Sequence, residues 1–129
     1  MDEHLAVVIW NRAAGGATAG SLKDGDRSLA ALLQAHGLIM NGGVLNAVEV
    51  MQQEEFRSAV AGYDYFELHG VSHLLRQARA LVQRGEEEEI ESHEAMFDAD
   101  YRAIIPDDSA LFRLFEERLR ARPSDFASV

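Results

Sequence analysis

The chain has 129 residues, 47% apolar and 26% charged, the composition of one globular domain rather than of a disordered chain. Twenty-two acids against twelve bases leave a net charge of −10, which disfavours direct binding to nucleic-acid phosphates. With no cysteine, disulfides, thiolate metal sites and thiol catalysis are excluded.

Asp2-Glu3 opens a stretch in which Leu5, Val8, Ile9 and Ala13 recur at helical spacing, with acids in the first turn. The β-branched Val7, Val8 and Ile9 make a short strand the competing reading, and helix is the expectation. The run Leu5–Trp10 falls far short of the ~20 apolar residues that span a bilayer. Met1-Asp2-Glu3 lacks the positive opening of a secretory signal, so a cytoplasmic location is expected, with no membrane partner. Small residues through Gly15-Gly16-Ala17-Thr18-Ala19-Gly20 to Gly25 read as a flexible loop over about 14–25. Asp26 or Ser28 then caps a helix carrying Leu29, Leu32 and Leu33, with Gly37 as its expected end.

Asn41-Gly42-Gly43 is the sharpest punctuation in the chain. Its glycines permit positive φ or close backbone packing, and Asn41 is a good N-cap, so the tripeptide is expected to be a structural corner at a helix start. Val44, Ala47, Val48 and Met51 follow at helical spacing, then a segment with Phe56, Val60, Tyr63 and Phe66. Gly70 separates that segment from the cleanest amphipathic stripe, Val71, Leu74, Leu75, Ala78, Leu81 and Val82, which Gly85 stops. From Glu86 another helix aligns Ile90, Phe97, Tyr101 and Ile104 until Pro106 closes it. Asp107 or Asp108 starts the last helix, with Leu111, Phe112, Phe115 and Leu119 apolar; Pro123 ends it and Phe126 returns to the core. No segment alternates with period two for long enough to make a sheet. The expected architecture is a single all-α domain over 1–129, with about six to seven helices.

The charge is concentrated. Residues 86–108 hold ten acids and one base, Arg102, a net −9 within 23 residues. Eight of those acids, Glu86, Glu87, Glu88, Glu89, Glu91, Glu94, Asp98 and Asp100, occupy about 22 Å of helix at ~1.5 Å per residue. That is one carboxylate per about 2.8 Å, against one charge per about 1.7 Å along duplex DNA. Such a run serves either as a solvated face or as a surface for a basic protein partner. Calcium loops need a glycine-containing Asp/Asn pattern that is absent here. Eleven of the twelve bases are Arg; Arg113, Arg118, Arg120 and Arg122 cluster in the final helix, where pairing with Glu116, Glu117 or the acidic helix is expected.

Catalytic signatures are missing. His69 and His73 are four apart, yet no glutamate completes a His-Glu-x-x-His motif, so no metal or cofactor is expected. His93 lies among carboxylates and reads as solvated, with a pH-sensitive role as the alternative. Ser21, Ser28, Ser58 and Ser72 lack a nucleophile-elbow context, and Gly42-Gly43 precedes no Lys-Ser/Thr. Tyr63-Asp64-Tyr65-Phe66 has no basic neighbours for stacking on a nucleic acid and reads as core.

From residue 26 to 126 the order of features resembles a bacterial domain-of-unknown-function family related to the Neisseria-type acidic DNA-mimic protein. The matching features are Asn41-Gly42-Gly43, the aromatic segment through Tyr63 and Phe66, and the helix Leu74-Leu75-Arg76-Gln77-Ala78. After them come the acidic stretch, the turn from Tyr101 to Pro106, and a last helix ending near Pro123 and Phe126. The chain departs from the family's usual pattern after the glycines, where Val44-Leu45-Asn46 stands in place of aromatic residues. The resemblance implies a small acidic helical protein, a homodimer, whose carboxylates imitate DNA phosphates in a transcription factor's DNA site. The function expected is a non-enzymatic one: the eight carboxylates of residues 86–100 bind a basic, DNA-binding protein. An immunity-type or other regulatory protein that neutralises a basic partner is the alternative, and an enzyme the third reading.

Overall fold

In the computed structural model, which describes residues 3–15 and 22–129, the β-branched run Val7-Val8-Ile9 is helical. Helix α1 spans Glu3–Ala14 and buries Ala6, Ile9 and Ala13, a spacing of three and four that only a helix brings to one side. Six further α-helices follow: α2 (Asp24–Gly42), α3 (Val44–Val50), α4 (Gln53–Tyr65), α5 (His69–Arg84), α6 (Glu87–Ile104) and α7 (Asp108–Ala121). A 3₁₀ turn at Pro123–Asp125 is the last element, and no strand occurs among the described residues. The fold is all-α. None of these helices is long and apolar enough to cross a membrane.

Helix α2 is the central element, flanked by α1, α3 and α4; α5 packs against α3, α4 and α6, and α7 against α1. One hydrophobic cluster joins residues of all seven helices, with Leu32, Tyr63, Leu75, Tyr101 and Phe115 fully buried. Trp10 of α1 lies edge-on to Phe112 of α7 at 5.1 Å, and Phe126 folds back to within 5.8 Å of Phe115.

Several helix ends differ from the sequence expectation. Of the loop expected over 14–25, residues 16–21 lie outside the described residues, and Asp24 and Gly25 already belong to α2. Gly37 does not end α2, because it faces open space and costs the helix only propensity. The first cap of α2 is Lys23, whose backbone N–H donates to the Asp26 carboxylate at 3.0 Å. Gly70 sits in the first turn of α5; the break before it is made by Glu67, at φ 61°. On α6, Ile104 faces outward and Ile105, just past the helix end, fills the core position instead.

A polar chain runs through the core. The Asp108 carboxylate accepts from His36 Nε2 at 2.7 Å, and His36 Nδ1 lies 2.7 Å from the Tyr101 hydroxyl. The Tyr101 hydroxyl is in turn 2.8 Å from that of Tyr63. Where His36 Nδ1 accepts, Tyr63 donates to Tyr101 and Tyr101 to His36, so each polar side-chain atom of this network has a partner. Burial raises the pKa values of all three tyrosines. Tyr65, which also donates to Asp125, is pushed from its ordinary 10 up to about 12, and Tyr63 and Tyr101 also lie above their usual value. Because the folded state holds these protons more tightly, each contribution to stability is complete below pH 10 and is lost as pH rises through the group's raised value, about 12 for Tyr65. An alkaline titration should therefore show tyrosinate absorbance at 295 nm rising together with loss of helical circular dichroism. Tyrosinate appearing near pH 10 on an intact helical spectrum would mean the hydroxyls are solvated.

Candidate partner-binding surface

The acidic run begins where a helix dipole favours it. Glu86 is the N-cap of α6, and Glu87, Glu88 and Glu89 occupy the first turn, near the positive end of the macrodipole. Phe97 and Tyr101 bury one side of the helix, with Ile90 half-buried beside them. The remaining positions divide the carboxylates between two flanks. Glu87, Glu91, Glu94 and Asp98 follow one i, i+4, i+7, i+11 row, and Glu89, His93, Met96 and Asp100 follow another. Glu88 stands between the rows on the outermost side.

Asp98 differs from the other seven. Its carboxylate accepts the backbone N–H of Val44 at 2.8 Å, which caps the start of α3, and it lies against Gly43. The Asp98 end of the first row therefore meets the α2–α3 corner. Asn41 and Gly42 complete the last turn of α2, so the N-cap of α3 is Gly43 and not Asn41. Gly43 adopts φ 90° and ψ 166°, a region that only glycine occupies without strain. Gly43→Ala should therefore cost about 1–3 kcal/mol, read as a lower urea midpoint. Gly42→Ala should be close to neutral: it is helical, and its new methyl would meet only the movable end of Asn46. Equal losses for both variants would contradict this assignment of the corner.

Glu86, Glu87, Glu88, Glu89, Glu91, Glu94 and Asp100 are all exposed. None of the seven forms an ion pair with a described residue. Elsewhere most carboxylates are engaged, Asp24 with Arg27, Glu54 with Arg57, Asp64 with His69 and Arg76, and Asp125 with Arg122, while the exposed Glu49 and Glu117 stand singly. The arginines of α7 do not reach α6. Arg120 pairs with Glu116, while Arg118 approaches Glu67 at 3.6 Å and stacks on Tyr65 at 4.5 Å. Seven charges over about 21 Å of helix leave one per about 3 Å, roughly half the linear density of duplex DNA.

The other candidates are brought into different roles. His69 pairs with Asp64 at 2.9 Å, and His73 is exposed. His93 Nδ1 donates to the Glu89 carbonyl within its own helix at 2.8 Å. Among the described residues no three His, Asp or Glu side chains converge on a metal position. Ser72 is buried and donates to the Val60 carbonyl. A cleft of about 870 Å³ between α1, α2 and α4 contains Trp10, Ser58, His36 and Asp108, which sequence reasoning did not assemble. His36 and Asp108 are 72 residues apart, and no local spacing announces them. Both ring nitrogens of His36 are already hydrogen-bonded, so that imidazole has no free nitrogen to offer Ser58 as a base.

A family model described as DMP19-like protein matches residues 20–126, which takes in α2 through the 3₁₀ turn and leaves α1 outside. No curated protein and no solved structure matches the chain.

Proposed function

The chain belongs to the DMP19-like protein family, a DNA-mimic-like family, and on that premise we propose that it is a non-enzymatic protein that binds a basic DNA-binding protein through α6. The observation that carries the proposal is the set of seven exposed carboxylates with no internal cation. Helices that use acids only for their own stability place Lys or Arg three or four residues away, as Arg57 and Arg120 are placed for Glu54 and Glu116. On α6 before Asp100 there is no such base, and the mutual repulsion is left standing. A cationic groove that fits DNA phosphates would relieve it. Transcription factors present such grooves, and the acidic surface would occupy them in place of DNA. Asp98 is not part of this surface, because its carboxylate caps α3.

Immobilised protein tests the proposal by capture at low salt, elution at high salt, and competition with duplex DNA. The expected result is a basic, DNA-binding protein that duplex DNA displaces, with binding that fades as ionic strength rises. A captured protein that duplex DNA leaves in place would argue for neutralisation of a basic partner without mimicry. Capture that ignores salt would contradict the electrostatic reading altogether.

A further inference from the structure

The second flank of α6 is not purely electrostatic. It lies along α5, and two clefts of about 330 Å³ and 290 Å³ open on the seam between the helices, with Gln77 lining both. Together they make one groove, with Met96 in its first part and Ile104 in its second. These two side chains are 48% and 39% exposed, on a helix whose other outward positions are mostly charged or small. They are eight residues apart, about 12 Å along the axis, the same distance that separates side chains at i and i+8 of any other helix. Glu89 stands on the groove's wall at one end and Asp100 midway, between Met96 and Ile104. Arg84 is at the Glu89 end, where Glu86, Glu87 and Glu88 keep the surroundings negative.

We propose that the α5–α6 seam docks one amphipathic basic helix of the partner, with aliphatic side chains seated on Met96 and Ile104 and cations against Glu89 and Asp100. The inference rests on the reading of α6 as a surface for a basic protein, and it names the element that surface recognises. Charge complementarity alone attracts any polycation. The two apolar contacts add a term that duplex DNA cannot supply and that salt does not screen, so the docked helix is selected by its aliphatic residues as well as by its charge. Groove recognition of this kind places anchors at helical spacing on the bound segment.

Two fluorescein-labelled helical peptides of equal charge test the seam directly, one with leucines at i and i+8 among lysines and one with glutamines at those positions. The protein should bind the leucine peptide about tenfold more tightly by anisotropy, a difference of ~1.4 kcal/mol. Met96→Ser with Ile104→Ser should abolish that preference and leave the glutamine peptide's affinity unchanged. Both side chains are substantially exposed, so the double variant should fold. Glu89→Lys with Asp100→Lys should weaken both peptides at low salt while preserving their ratio. Equal affinity for the two peptides, or a preference that survives the serine substitutions, overturns the docking site while the charge reversal still reports on the acidic surface. Binding that neither pair of substitutions alters overturns both.

Discussion

Asp26→Ala is expected to lower the unfolding free energy by about 3–5 kcal/mol, the usual cost of removing one partner from a buried ion pair. The Asp26 side chain is 3% exposed and that of Arg12 is 22% exposed, with 2.6 Å between them. One carboxylate serves three segments: it takes the Arg12 guanidinium from α1, the Lys23 N–H at the start of α2 and the Ala127 N–H of the C-terminal tail. Arg12 also donates to the Ala127 and Ser128 carbonyls, so the tail is held from both sides. Alanine leaves the guanidinium without its counter-charge and two backbone donors without an acceptor. Against a total stability of about 5–15 kcal/mol, that loss removes a large fraction of the folded state's margin. Urea denaturation followed by circular dichroism measures it. Asp26→Asn should be milder, since its amide oxygen still accepts one backbone bond. A loss below about 1 kcal/mol for alanine would show that water already screens the pair, as at an exposed site.

How much of this could be read in advance depended on the range of the interaction. The apolar stripes of α3, α5 and α7 were legible because Val44, Ala47 and Val48, or Leu111, Phe115 and Leu119, repeat at a helical period that burial enforces. Asp107 was legible as a start signal, and its side chain does accept the Ala110 N–H. Helix ends were less legible. Gly37 and Gly70 resemble breaks, but an exposed glycine within a helix costs only about 1 kcal/mol, which packing on either side easily exceeds. The turn that does break the chain centres on Glu67, a residue with no turn signature, held by the Leu68 N–H bonding back to the Tyr63 carbonyl.

The acidic surface was legible as composition and only partly as geometry. Asp98 has the same chemistry as its seven neighbours, and its attachment to Val44, 54 residues away, has no local signal. The same holds for the seam. Met96 falls outside the apolar row expected for α6, and Ile104 was expected on its buried side, so neither marks an open groove until α5 is placed beside them. Side-chain period assigns a face; the neighbouring helix decides which edge of that face remains open.

The measurement that bears most directly on the central claim is the affinity of Glu87→Lys with Glu91→Lys for the basic protein captured at low salt. Both residues are exposed, unpaired and one turn apart on the flank opposite the seam, so the substitutions disturb no internal contact. Reversing them changes the local charge by four units, and relief of repulsion within α6 should hold or raise stability. Binding should weaken by about tenfold or more at low salt, chiefly through slower association, with the difference shrinking as salt screens it. Unchanged affinity at low salt, with the same gain in stability, would contradict the claim and leave α6 as a solvated face.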